Sequence, residues 1–228
     1  MKILSIDCAT AAGSVAIWDD GTIRAVERAE LARGQAEALL PMIERVRARA
    51  GLAFAELDRL AVTVGPGHFT GLRAGLAAAR GLALATGLPL IGVTTLEAVA
   101  AGVSPAEREG AVLAVALDSK RAEAYVQAYA ANLKPLDTPR ARRPADYAAE
   151  LTGSFGARFV VAGDAAAELV QALTQQGASA LFSGAALRPD ATIVAALAAQ
   201  AAAPAAPPAP LYVHPVETTS PRPRAARG

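Results

Sequence analysis

Apolar and polar positions follow two different periods along the first hundred residues. Residues 3–7 (ILSID) and 13–19 (GSVAIWD) are short apolar runs that read as strands. Asp20-Gly21 stands between the second run and residues 22–29, a two-residue hairpin signal that predicts a third, antiparallel strand. From residue 35 to 50 the period changes: Leu39, Leu40, Ile43 and Val46 recur at helical spacing, and Gly51 supplies a stop. Pro41 within that stretch predicts a kink or a helix start beside it. Residues 60–64 (LAVTV) and 88–95 (LPLIGVTT) read as a fourth and a fifth strand. Between them a helix over 70–86 is expected, with Thr70 as N-cap and Gly87 as stop, and another begins near Thr95.

Three meandering strands followed by helix, strand, helix, strand, helix make a mixed α/β layer of the ribonuclease H-like kind. That layer is the building block of the two-lobed actin, Hsp70 and sugar-kinase fold. The pattern weakens from Ala111 onward. "AVLAVALDSKRAEAYVQAYA" reads as two strands joined by a polar turn near residues 118–121, "FVVAGDAAAELVQAL" as strand, turn and helix, and "DATIVAALAAQAAA" as a helix. The halves are expected to be distant duplicates of one topology. The predicted organisation is a first lobe over 1–105, a reduced second lobe over 106–213 and a disordered tail over 214–228, with a helix at 190–203 returning to the first lobe.

Composition narrows the function more by exclusion than by indication. Hydrophobic residues make up 53% and charged residues 19%, which suits an ordered core, and aromatics at 4% leave Ala, Val and Leu to fill it. A formal net charge of +1 gives no global attraction to nucleic acid or to an anionic membrane. The single cysteine, Cys8, allows no internal disulfide and fits a reducing compartment. Asp7 interrupts the apolar N-terminal stretch and argues against a signal peptide, while the apolar run over 81–95 is broken by Pro89 and too short to span a bilayer. A cytoplasmic chain with no membrane partner is expected.

Candidate chemistry is sparse. Asp7 ends the first predicted strand with Thr10 three residues on, a corner that can face a phosphate or simply accept backbone N–H groups. "GPGHFTGLR" (residues 65–73) has two readings: Gly65 and Gly67 with Arg73 as a phosphate cradle, or a turn whose glycines allow close packing. His68 and His214 are the only histidines, and no metal-binding or nucleophile motif is present. No catalytic residue and no metal ligand is therefore assigned. On the helix that follows, Gly71, Gly75 and Ala79 are spaced by four and leave one face nearly bare backbone, suited to a close helix–helix contact or to packing on the chain's own sheet.

"ILSIDCATAAGSVAIWDDG", "QAEALLPMIE", "TVGPGHFTGLRAGLAAARGLALATGLPLIGVTTLEAVA" and "LDSKRAEAYVQAY" together resemble the TsaB (YeaZ) family, the accessory subunits of bacterial tRNA threonylcarbamoyladenosine synthesis. The resemblance is densest over residues 1–100. It departs from the family pattern at His68, where serine is commoner, and at Gln35, where histidine is commoner. TsaB is related to TsaD, the catalytic subunit, whose metal-binding histidines are replaced here by Thr95 and Val99.

The resemblance implies a non-catalytic scaffold that pairs with a TsaD-like subunit and a TsaE-like ATPase and forms a homodimer when alone. Such a scaffold reaches tRNA only through the complex. It implies no cofactor of its own, with ATP and a metal held by the partners. Gln35, Leu39, Leu40, Ile43, Val46, Thr70, Leu72, Gly75, Leu76 and Ala79 are the expected partner-binding positions, and Asp7, Thr10, Gly65, Gly67 and Arg73 a residual nucleotide corner. The alternative is an actin-fold ATPase or small-molecule kinase acting alone.

Overall fold

Asp20 (φ 43°) and Gly21 (φ 91°) both take positive φ, as a two-residue type I′ turn requires, and join β2 (Ala12–Asp19) to β3 (Thr22–Glu30). The structure is a computed structural model that describes residues 1–30, 35–185 and 187–214, without the side chains of residues 35 and 36. Gln35's side chain and the tail over 215–228, with Arg222, Arg224 and Arg227, lie outside the described residues.

β1 (Lys2–Asp7) pairs antiparallel with β2 and parallel with β4 (Arg59–Gly65), and β5 (Leu90–Thr94) adds a second parallel pairing. The sheet order is β3-β2-β1-β4-β5. α1 (Gln35–Ala50) runs unbroken through Pro41, which sits on the exposed side where water can take the carbonyl it leaves unpaired. α2 (Phe69–Thr86) starts one residue before the expected Thr70. His68, not Thr70, is the N-cap, because its carbonyl accepts the first helical bond from Leu72 N–H at 3.0 Å. Gly87 ends α2 at φ 72°.

The second half repeats the design. β6 (Val112–Asp118) pairs antiparallel with β7 (Ala124–Tyr129) and parallel with β9 (Arg158–Ala162), and β8 (Arg140–Arg142) and β10 (Ser179–Phe182) take the two edges. The order β10-β9-β6-β7-β8 is the first sheet's order with each strand number raised by five and read from the other edge. The chain therefore consists of two ribonuclease H-like lobes of the actin/Hsp70/sugar-kinase kind. The second is reduced in strand length rather than strand number: β8 has three residues and β10 four. α5 (Pro144–Phe155) and α6 (Ala166–Gln175) pack outside the second sheet as α1 and α2 do outside the first.

Each sheet takes a helix on its inner face. α3 (Thr95–Gly102) buries Leu96, Val99 and Val103 beyond its end against Leu113, Val115 and Tyr129 of the second sheet. A single helical turn, α4 (Pro105–Arg108), leads into β6. α7 (Ala191–Gln200) crosses back and packs Val194, Ala195 and Ala198 on Ile3, Ala61, Ile91 and Val93 of the first. Ser5 and Ser14 fix its start: Ser5 Oγ donates to the Ala191 carbonyl at 2.6 Å, and Ala191 N–H donates to Ser14 Oγ at 2.9 Å. The return helix thus makes the first lobe depend on residues nearly two hundred positions away.

Candidate functional site

The two lobes meet at the turns that follow β1, β4, β6 and β9. His68 N–H donates to the Ala9 carbonyl at 2.8 Å, just past the end of β1, and Ala165 N–H donates to the Ala116 carbonyl of β6 at 3.2 Å, so each lobe brings its strand-to-helix turn to the end of its first strand. Both approaches require glycine. A Cβ on Gly67 would fall inside the van der Waals envelope of the Ala9 carbonyl oxygen, and one on Gly163 (φ 108°) would do the same to Ala116. Gly65 (φ 113°), which precedes the cis peptide to Pro66, is required for another reason. Its missing side chain makes room for Leu211, whose carbonyl oxygen would be 2.6 Å from a Cβ there. In this stretch the glycines serve close backbone packing.

Thr10, Gly67 and His68 of the first lobe face Asp118, Lys120, Tyr125, Asp164 and Arg188 across a cleft of about 40 Å3. Ligand pockets usually enclose roughly 300–1,000 Å3. Charged side chains and turn amides of the second lobe line it. Asp164 accepts from Asp118 N–H at 2.8 Å, Lys120 N–H donates to Asp118 Oδ1 at 2.6 Å, and the Lys120 ammonium pairs with Asp118 Oδ2. The bond from Lys120 holds the Asp118 carboxyl below the usual carboxylate range. Arg188 reaches Glu30 of β3 at 3.0 Å and Asp164 at 3.9 Å, tying the lobes together over the cleft.

Asp7 lies on a different cavity, of about 430 Å3, with Ser14, Arg28, Glu30, Arg188 and Asp190. It is 1% exposed, and burial pushes its carboxyl up to about 7, although Thr63 Oγ1 at 2.8 Å and Ala9 N–H at 3.1 Å donate to it. Cys8 beside it is buried, and burial raises its thiol to about 12. Among the described residues no group of three or more His, Cys, Asp or Glu could hold a metal ion, and no helix is long and apolar enough to cross a membrane.

The predicted nucleotide corner is thus distributed over separate places. Thr10 and Gly67 line the narrow cleft, Asp7 the larger cavity, and Gly65 the floor beneath Leu211. Arg73 lines neither cavity: its guanidinium stacks 3.6 Å over the Phe69 ring on the outer side of α2, and its Nε donates to Tyr212 Oη at 3.1 Å. Asp118, Lys120, Asp164 and Arg188 carry most of the cleft's charge and were missed. A signal for Asp118 exists, because "AVALDSK" ends an apolar run with an aspartate as "LSIDCAT" does.

The predicted partner face needs correction. Leu39, Ile43, Val46, Leu76 and Ala79 are buried in the chain's own core with Leu4, Ile6, Val62 and Leu60 of the first sheet, and Leu72 is buried beside Gly65. Gly75 abuts Cys8 and Val62, so the bare face of α2 lies on the sheet. The apolar stripes of both helices cover most of this sheet face, which leaves their other sides outward. Among the outward positions are the apolar Leu40 on α1 and Phe69, Thr70, Arg73, Ala77, Gly81 and Leu84 on α2, beside the charged Glu44, Arg45 and Arg49 of α1 and Arg80 of α2. Only Leu40 (55% exposed) and Thr70 of the described predicted side chains are among them.

The TsaB protein of Escherichia coli K12 is 42% identical over 130 residues, covering 57% of this chain and 55% of the relative. The tRNA N6-adenosine threonylcarbamoyltransferase of Erythrobacter litoralis is 48% identical over 66 residues, 29% of this chain and 19% of that protein. The chain spans about half the length of the TsaB relatives it matches. A Pseudomonas aeruginosa crystal structure, described by its similarity to peptidase YeaZ, superposes with a TM-score of 0.74 at 25% identity, over 93% of this chain and 99% of that one. Residues 29–210 match the family model described as TsaD: tRNA N6-adenosine threonylcarbamoyltransferase, and the chain belongs to that family, on its TsaB (YeaZ) side.

Proposed function

We propose that the chain is a non-catalytic scaffold subunit in tRNA threonylcarbamoyladenosine synthesis, pairing with a TsaD-type catalytic subunit through the outer face of α1 and α2. The observation that supports the reading is the narrow interlobe cleft. At about 40 Å3, and lined by its own Asp118–Lys120 pair, it is far smaller than the roughly 300–1,000 Å3 of a usual ligand pocket. The outer helical face supports the pairing half. Leu40, Phe69 and Leu84 are large apolar side chains left in water, with Leu84 89% exposed, and small Ala77 and Gly81 between them let another helix approach closely. A TsaD-type subunit has the same lobe architecture, so a face of this kind can meet its counterpart, or a second copy when the partner is absent. On this reading TsaE, ATP, metal and tRNA belong to the assembled complex, and the chain works in the cytoplasm.

One observation favours a second reading, an ATPase or small-molecule kinase: the buried Asp7 carboxyl opens on a cavity of about 430 Å3. An omission assay separates the two. TsaD, TsaE, threonylcarbamoyl-adenylate and tRNA are combined with and without this chain. Modified adenosine that requires the chain, with no ATP turnover by the chain alone, is the expected result. Equal product without it would overturn the scaffold reading.

A further inference from the structure

The outer face of the first sheet has five strands but two helices. α1 sits on β2 and β3, and α2 mainly on β1 and β4. The remaining strip, over the end of β4 and over β5, is crossed by residues 204–214 after α7, which touch it at Pro208 and Leu211, while Pro204 to Pro207 border a cavity of about 650 Å3 beside Arg80 and Leu84.

The floor is carved for this segment. A Cβ on Gly92 would stand 2.6 Å from Pro208 Cβ and 2.7 Å from Val64 Cγ1, and Gly65 leaves room for Leu211. Leu211 N–H donates to the Val64 carbonyl at 2.7 Å, and Arg80 Nη2 donates to the Pro208 carbonyl at 2.6 Å. Tyr212 packs its ring 5.7 Å from Phe69 and accepts from Arg73, and His214 packs 5.4 Å from Tyr125 of the second lobe. Prolines at 204, 207, 208 and 210 keep the segment extended at little entropic cost. None of its residues is fully buried, whereas α7 just before it buries Ala191, Val194, Ala195 and Ala198 completely. Shallow burial over a fitted floor is the profile of a unit that opens without global unfolding.

We propose that residues 204–214 are a releasable strap that fixes Phe69 and Arg73 on the outer face of α2 and ties that face to the second lobe through Tyr125 and His214. The partner face is then competent only while the strap is docked. This step rests on the pairing reading above; the docking of the strap does not.

The test uses the full chain with Tyr212→Ala, Tyr212→Phe and Leu211→Pro, the last removing the N–H given to Val64. Hydrogen exchange of the Leu211 amide reads docking in the wild type and both Tyr212 variants. Exchange of the Leu72 and Arg73 amides reads the start of α2 in all three variants, and affinity for an isolated TsaD-type subunit reads pairing. Circular dichroism checks that the fold is retained. The expected result is a protected Leu211 amide in the wild type, about tenfold faster exchange in Tyr212→Ala, and about tenfold weaker pairing in Tyr212→Ala and Leu211→Pro. Tyr212→Phe, which keeps the ring, should lie between. An unprotected Leu211 amide in the wild type overturns the strap. Faster exchange with unchanged affinity overturns its positioning role. A wild-type chain that does not bind the TsaD-type subunit overturns the pairing reading and with it the positioning step, while the exchange data still decide whether the strap docks.

Discussion

Thr63 Oγ1 donates to Asp7 Oδ1 at 2.8 Å across the parallel pair β4 and β1, which ties the only fully buried carboxyl of the first sheet to the strand that leads into the glycine turn. Two donors are not enough to offset burial, and the group titrates near 7 rather than near 3.8. The unfolded chain therefore loses this proton at a lower pH than the folded one. Between the two values the folded state binds more protons, so the contribution of Asp7 to stability falls as pH rises from about 4 to about 7 and is flat beyond. The slope is on the order of 1 kcal/mol per pH unit. Asp7→Asn keeps an acceptor for Thr63 and Ala9 without the charge. It should melt higher than the wild type at pH 8 and about equally at pH 4.5. A Tm difference that does not change between those two pH values would show that the burial of the charge is not the cause.

Leu39 and Leu40 are neighbours with opposite surroundings, 1% and 55% exposed. Leu39→Ala removes core volume and should cost about 2–5 kcal/mol in denaturant unfolding. Leu40→Asp should cost far less, about 1 kcal/mol or less, since the side chain is more than half exposed and its replacement meets only the nearby Glu37 and Glu44 on the helix surface. If the outer face pairs with a TsaD-type subunit, Leu40→Asp or Leu84→Asp should abolish co-elution on size-exclusion chromatography while the chain stays folded. Undiminished co-elution of both variants would move the interface elsewhere.

The pairing of Leu39 with Leu40 also shows where sequence reasoning reached its limit. Helical spacing revealed that α1 and α2 each have an apolar side, and the strand pattern with Asp20-Gly21 predicted the first sheet almost strand for strand. Periodicity does not say what an apolar side packs on, and the nearest available surface was the chain's own sheet. The second lobe was harder to read for a physical reason. β8 and β10 are three and four residues long, too short to show a period, and α5 begins at Pro144 after an arginine run that masks its amphipathic pattern. The cleft charges were hidden because Asp118 and Asp164 meet only when two turns 46 residues apart are folded together.

Gly67 and Gly163 should be the least replaceable glycines outside the hairpin. Each lies against a backbone carbonyl, Ala9 or Ala116, and a backbone carbonyl cannot rotate away as a side chain can. Gly163→Ala adds the strain of φ 108°. Each substitution should cost about 2–4 kcal/mol, measurable as a lower urea midpoint. Gly81→Ala, with nothing within 4 Å of its Cβ, is the control and should stabilise α2 by up to about 1 kcal/mol. Equal midpoints for Gly67→Ala and Gly81→Ala would refute the close approach of the two turns.

Cys8 offers a probe of the same region, because it is the only thiol in the chain and α2 lies directly over it, with Gly75 at the point of contact. Burial raises it to about 12, so at pH 8 almost none is thiolate while α2 is closed. Labelling by a thiol reagent should be slower than that of a small free thiol by more than about a thousandfold, with the rate set by the opening of α2. Tyr212→Ala releases the strap without lifting the helix, so it should leave the Cys8 rate nearly unchanged. Leu76→Ala loosens α2 on the sheet and should raise it by about ten- to a hundredfold. Rapid labelling of the wild-type chain would mean that α2 does not seal the first sheet. The outward stripe from Phe69 to Leu84 would then have no rigid base from which to meet a partner.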